Sequence, residues 1–255
     1  MRSALVALAL PLAFPVLVAM SCSNSSPSTD ASGTVVVFAA SSLTEAFTEL
    51  GSAFTTLHPD AKVTFNFAGS GDLVTQITQG APADVFASAD DSNMKKLIDA
   101  GEGGGTPASI ASNTMEIIVE KGNPKGVTGL ADLATPDLIV VLCAPTVPCG
   151  KSATKVLDNA GVAVTPKSSE DKVKGVVTKV TSGEADAGIV YATDVLAAGA
   201  AASGVQIPAD VNVINQYPMV VTKAATNART AQAFVDFVLS APGQAILTSH
   251  GFLTP

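Results

Sequence analysis

Tryptophan is absent from the 255-residue sequence, tyrosine and histidine occur twice each, cysteine three times, and arginine only at Arg2 and Arg229. Each scarcity removes a class of function. So few histidines and cysteines leave little for a metal centre or for imidazole-based catalysis. With 14 basic against 22 acidic residues and a net charge of -8, the chain is poorly suited to neutralising nucleic-acid phosphates or to docking on anionic lipid by charge. Charged residues make up 14% and apolar ones 47%, a composition that folds rather than stays disordered. The length accommodates one large domain or two of about 100 to 120 residues.

What is present begins with a leader. Residues 1–21 carry one positive charge, Arg2, and an apolar run from Ala4 to Met20 broken by Pro11 and Pro15. With the small-residue end Ala19-Met20-Ser21 this reads as an export signal peptide. The competing reading, a membrane anchor, is disfavoured by the prolines and the short span. Cys22 follows at once, and a Ser/Pro/Thr/Asp-rich flexible tether runs over 22–33. A cysteine directly after such a cleavage site resembles a bacterial lipoprotein. That resemblance implies acylation of Cys22 and a lipid anchor on the extracytoplasmic face of the cell membrane. Ala19 stands where such boxes usually carry Leu, so release as a free periplasmic protein stays open. The other two cysteines, Cys143 and Cys149, are six residues apart. In an oxidising compartment they can form a disulfide; two free thiols or half a metal site are the alternatives.

Beyond the tether the pattern is α/β. Val35 to Ala40 is a continuous apolar run of the buried parallel-strand type. Leu43, Phe47, Leu50, Phe54 and Leu57 then keep one helical face, with Ser42 and Glu45 spaced as a capping box and His58-Pro59 as the stop. A second unit repeats the order: strand Lys62 to Phe67, turn Ala68-Gly69-Ser70-Gly71, helix Asp72 to about Thr78. Asp84 to Ser88 is a third strand. Thr114 to Val119 is a strand that nothing helical joins to the preceding unit, and it reads as a crossing between domains. Strand Leu138 to Leu142, a helix from about Lys151, a helix over Val173 to Val180 and strand Ala185 to Tyr191 restart the pattern. Val211 to Val221 is a return strand, and helices Arg229 to Leu239 and Gly243 to His250 close the chain. Alternating strands and helices mean mostly parallel sheets with crossovers. Lobe 1 is expected over 34–113 plus 222–255, and lobe 2 over 114–221 with the two crossing strands, a ligand lying in the cleft.

Three strand-to-helix turns share a chemistry: Ala39-Ala40-Ser41-Ser42, Ala68-Gly69-Ser70-Gly71 and Val147-Pro148-Cys149-Gly150. Each can aim unpaired backbone N–H groups at an anion, and small side chains let it approach. Ordinary helix capping explains any one of them; three in two lobes favour an anion site. Competing motifs fail. Gly150-Lys151-Ser152 ends like a phosphate-binding P-loop, but Pro145 stands where its first glycine is needed. Ala68 and Asp72 occupy both outer glycine positions of a hydrolase elbow around Ser70. His58 and His250 sit at helix ends, where surface or dipole-facing histidines are common.

The run Val35-Val36-Val37-Phe38-Ala39-Ala40-Ser41-Ser42-Leu43-Thr44, with Ala81-Pro82-Ala83-Asp84-Val85-Phe86-Ala87-Ser88-Ala89-Asp90, resembles the periplasmic molybdate-binding proteins of ABC importers. The likeness continues at Phe67-Ala68-Gly69-Ser70, Val147-Pro148-Cys149-Gly150, Ala187-Gly188-Ile189-Val190-Tyr191 and Gly251-Phe252, covering nearly all of residues 34–255. The resemblance implies the two-lobed periplasmic binding protein type II fold. It also implies a monomer without a cofactor or chemistry of its own, which binds molybdate or tungstate and delivers it to a membrane permease. By motif, the ligand-binding residues are Ser42 and Ser70 from the first lobe, and Cys149, Val173 and Tyr191 from the second. Cys149, where the family often has Ala, and Val173 would contribute backbone N–H groups, and Tyr191 its phenol. A site free of Arg, Lys and His would select by cavity size and donor geometry. Sulfate would then fit loosely, and protonated phosphate would lack an acceptor. The same fold binding sulfate or another oxyanion, an exported enzyme using the pocket as an oxyanion hole, and a lipoprotein binding no small molecule are the other readings.

Overall fold

The computed structural model describes Met1 and residues 31–255, so the export signal, Cys22 and most of the tether lie outside the described residues. The apolar run after the tether is β1 (Gly33–Ala40), paired in parallel with both β2 (Ala61–Ala68) and β3 (Val85–Ala87). Its side chains alternate between two cores, as the pleat requires. Val35, Val37 and Ala39 join the larger core with Phe47, Leu50 and Phe54 of α1 (Thr44–Leu57). Phe38 joins a smaller one with Leu73, Val74 and Ile77 of α2 (Ser70–Thr78) and Met94 and Leu97 of α3 (Asp91–Asp99). Both helices place apolar residues three and four apart, one stripe facing the sheet.

β4 (Ala108–Glu120) is long enough to serve two sheets. Its first half runs antiparallel to β9 (Ile214–Val221), which in turn pairs with β3. Its second half runs antiparallel to β7 (Ala187–Tyr191) and β8 (Ala202–Gln206). Parallel strands β5 (Val140–Cys143) and β6 (Ser168–Glu170) extend that second sheet beyond β7. The order is β2-β1-β3-β9-β4-β7-β5-β6, with β8 on β4. Helices α4 (Pro148–Ala160), α5 (Val173–Thr181) and α6 (Ala192–Ala198) flank the second half. The chain then returns along β9 to α7 (Ala228–Leu239) and α8 (Ala241–Ser249), which cover the first. Phe234 of α7 packs edge-on against Phe54 at 5.3 Å.

Several boundaries differ from the sequence expectation. α2 starts at Ser70 instead of Asp72 and α4 at Pro148 instead of Lys151, because Gly69 and Val147 already hold the extended conformation of an N-cap. The crossing strand is preceded by α3, whose polar start hides it; Asp90 caps it by accepting the Asn93 N–H at 2.9 Å. The capping box at Ser42 and Glu45 does not form. Residues Ser41–Leu43 make a 3-10 turn before α1, Ser42 Oγ bonds Tyr217, and the Glu45 carboxylate accepts from Lys174.

Candidate functional site

Six strands of parallel sense within their sheets, β1, β2, β3, β5, β6 and β7, end at or just before one pocket of about 220 Å³. Its lining is Ala40 to Ser42, Ala68 to Ser70, Ala89, Val147 to Cys149, Asp171 to Val173, and Tyr191. The position follows from topology: in α/β sheets ligand sites lie beyond the carboxyl ends of the strands. Ser42, Ser70, Cys149, Val173 and Tyr191, assigned from sequence to both lobes, all line it. Asp171 and Lys172 line it too, so the expected absence of lysine needs correction. Lys172 is the N-cap of α5, a position that no motif marked.

Several of the pocket's polar groups can serve as donors. Ser70 Oγ accepts the Ala89 N–H at 3.1 Å, leaving its own proton available. Ser42 Oγ lies 3.1 Å from Tyr217 Oη. Cys149 and Val173 are in the first turns of α4 and α5, where amides have no intrahelical acceptor. The residues preceding α2, α4, α5 and α6 offer no side-chain cap, whereas α3, which starts next to the lining residue Ala89, is capped by Asp90, and α8, away from the pocket, by Ser240. α7 is likewise without a side-chain cap and away from the pocket, so the pattern carries weight only together with the serines and Tyr191. The Tyr191 hydroxyl is fully buried and makes no hydrogen bond within normal limits. Burial, reinforced by Tyr217, Asp194 and Asp90, pushes its pKa well above the ordinary tyrosine value, so it is a neutral O–H donor. Leaving such a group without an acceptor costs on the order of 1 to 3 kcal/mol, which an anion in the pocket would offset.

Two lysines tie the halves together beside the pocket. Lys151 of α4 donates to Asp90 Oδ2 at 2.9 Å and Ser92 Oγ at 2.5 Å. Burial works to raise the Asp90 pKa, but Lys151, Asn93 and Ser92 outweigh it and hold the carboxyl below its usual range. Lys174 of α5 donates to both Glu45 oxygens and lies 3.1 Å from Asp194 Oδ1. Neither histidine lines the pocket; His250 meets Glu49 at 2.8 Å and His58 packs on Phe54.

Cys143 and Cys149 are bridged, with Cα atoms 5.8 Å apart, across the turn from β5 to α4. A Cβ on Gly150 would meet the Ala144 carbonyl at 1.9 Å, so that turn admits only glycine there. Cys149 contributes its position in the helix rather than a thiol. Reducing the bridge is expected to lower stability by roughly 2 kcal/mol, from the closure entropy of so short a loop. Urea unfolding with and without reductant measures it; equal midpoints would contradict the assignment.

Two α/β halves joined by extended strands, with donors from both converging on one small pocket, define a two-lobed ligand-binding protein. The sequence profile of the bacterial extracellular solute-binding proteins matches residues 35–253, and the chain belongs to that family. It is 42% identical over 242 residues to the molybdate-binding protein ModA of Mycobacterium tuberculosis, covering 92% of this chain and 93% of that protein. The periplasmic molybdate-binding protein of Azotobacter vinelandii superposes with a TM-score of 0.74 at 23% identity, over 87% of this chain and 99% of that one. The sulfate-binding protein SubI of M. tuberculosis superposes at 0.76 with 18% identity, over 86% of each chain. These two solved structures share the fold of this chain. Among the described residues no helix is long and apolar enough to cross a membrane, and no His/Cys/Asp/Glu cluster is arranged to hold a metal ion.

Proposed function

We propose that the protein is the extracytoplasmic molybdate receptor of an ABC importer, closing residues 34–113 plus 222–255 onto 114–221 around the anion and presenting it to the permease. Ser42, Ser70 and Tyr191 supply hydroxyl donors, and Cys149 and Val173 supply backbone N–H groups. The observation that carries the reading is the buried Tyr191 hydroxyl without an acceptor, in a pocket lined also by Ser42, Ser70 and the first turns of α4 and α5. The 42% identity to a molybdate-binding protein selects the cargo, and tungstate, a dianion of nearly the same size and shape, is expected to bind as well. The protein acts as a monomer, anchored through acylated Cys22, and catalyses nothing. Ser42 and Ser70 hydrogen-bond to a phenol and a backbone amide rather than to a general base, which disfavours hydrolysis.

Thermal unfolding with molybdate, tungstate, sulfate, phosphate and chloride in excess tests the cargo. Ligand at a hundred times its Kd adds about 2.7 kcal/mol of stability. Stabilisation by molybdate and tungstate is expected; stabilisation by sulfate instead would keep the fold and change the cargo, and none at all would overturn the reading.

A further inference from the structure

The two halves meet around the pocket through more than the residues that line it. Gly69 has φ -61° and ψ 137°, a conformation any residue adopts, yet a Cβ there would come within 2.8 Å of the Asp171 carbonyl oxygen on the opposite half. The glycine is accounted for by how closely the halves approach. Two ion pairs cross the cleft as well, and they are not equivalent. Lys174 Nζ reaches Glu45 on the far half but also has Asp194 at 3.1 Å on its own. Lys151 Nζ bonds Asp90 Oδ2 at 2.9 Å and Ser92 Oγ at 2.5 Å, both on the far half, and among the described residues it has no partner on its own half. Asp90 is the reverse case. It also accepts from the Asn93 N–H, from Asn93 Nδ2 and from the Ser92 hydroxyl, bonds within the start of α3 that do not depend on Lys151.

Every bond that Lys151 makes therefore exists only while the halves are together. Removing it costs the closed form a contact and costs the open form none. Its placement is fixed from behind: Ser152, the next residue of α4, donates to Asn215 Oδ1 on β9 at 2.9 Å, and Asn215 Nδ2 donates to the Ala89 carbonyl at 3.4 Å. The helix that carries Lys151 is thus held, through a crossing strand, to the residue before Asp90. We propose that Lys151 is the latch of the cleft, a positioning residue outside the pocket lining that sets how long the anion stays bound. Association starts from the open form, where the latch is undone, so its effect falls on release. A crevice of about 480 Å³ lies beside the pair, which gives dissolved salt access to it, and a screened pair holds less well. A lysine near an anion site could instead steer the dianion inward, which would speed association. The inference rests on the oxyanion reading above and adds the control of residence time.

Lys151→Gln removes the charge, and Lys151→Arg keeps it. The chain has no tryptophan, and its two tyrosines, Tyr191 and Tyr217, lie in the pocket lining and against Ser42, so tyrosine fluorescence in a stopped-flow mixer reads molybdate association. Calorimetry gives Kd, and the product of Kd and the association rate constant is the release rate. Lys151→Gln is expected to speed release by about threefold to tenfold, the range of a partly exposed ion pair with one further hydrogen bond, while association stays within about twofold of wild type. Lys151→Arg should restore slow release. Added sodium chloride should speed release from the wild-type protein more than from Lys151→Gln. The urea midpoint of Lys151→Gln without ligand should stay close to wild type. Unchanged release, or a loss confined to association as a steering charge would give, would overturn the latch, and so would faster release matched by an equal loss of stability without ligand. Failure of molybdate to bind the wild-type protein would instead overturn the oxyanion reading itself.

Discussion

Replacing Ser42 and Ser70 together by Ala is expected to weaken molybdate binding by about a hundredfold to ten-thousandfold. Each hydroxyl gives a hydrogen bond to a fully ionised acceptor, on the order of 1.5 to 3 kcal/mol apiece, and every 1.4 kcal/mol is about tenfold in Kd. The serines stand on different strand ends, after β1 and β2, and share no hydrogen-bond partner, so their losses should add approximately. The variant should remain folded. What it gives up internally is the acceptor for the Ala89 N–H and the partner of Tyr217, each on the order of 1 kcal/mol against a typical total of about 5 to 15. Titration calorimetry reads the affinity, and urea unfolding without ligand checks the fold. An affinity within threefold of wild type would remove the proposed site.

Those two serines were legible because they sit at the ends of apolar runs. A strand of Val35 to Ala40 type must end somewhere, and the small hydroxyl residues after it mark a helix start that can face a ligand. Tyr191, at the end of β7, was assigned only through the resemblance to oxyanion-binding proteins. The resemblance to oxyanion-binding proteins added Val173, whose spacing from other residues says nothing by itself. Tyr217 was not legible: it lies mid-strand, with no turn or helix start to mark it, and only folding brings it behind Ser42. Lys172 was missed because a lysine before a helix reads as solvated surface. The carboxylates in the recognisable stretch around Ala81 to Asp90 turn out to be architectural. Asp84 accepts the Val36 N–H on one oxygen and the Thr226 N–H on the other, at 2.8 and 2.7 Å, and so fastens β1 to the segment before α7. Asp90 caps α3 and holds Lys151 across the cleft. In the fold, the regular βα units declared themselves through periodicity. α3 has only Met94 and Leu97 as buried apolar residues, β6 has three residues and α6 seven, too few for a pattern to rise above the loop background.

The second large effect concerns Lys174, the residue after Val173. Its Nζ joins Glu45 of α1 to Asp194 of α6, at 2.8 and 3.1 Å, and so spans the two halves beside the pocket. Burial works to lower the Lys174 pKa, but the carboxylates of Asp194 and Glu45 outweigh it and raise it, so the lysine is charged at any physiological pH. The Asp194 side chain has no exposed surface, and burial raises its pKa to about 6 even with Lys174 pulling it down. Between the ordinary carboxylate value and 6 the native state therefore binds more protons than the unfolded chain. The contribution of this group to stability declines as pH rises through that window and levels off above it, by on the order of 3 kcal/mol. Lys174→Met leaves Asp194 as a buried charge without its counterion, and removing one partner of such a pair typically costs about 3 to 5 kcal/mol. At pH 7.5 the variant should lose that much, or lose less while Asp194 takes up a proton in the folded state. At pH 5, where Asp194 is already largely protonated in the wild type, the loss should shrink markedly. Adding Asp194→Asn to Lys174→Met should recover most of the stability at pH 7.5, because it deletes the stranded charge. Urea unfolding of the three proteins at both pH values reads all of this, and a loss of equal size at pH 5 and pH 7.5 would mean that Lys174 acts through packing rather than by compensating the charge of Asp194.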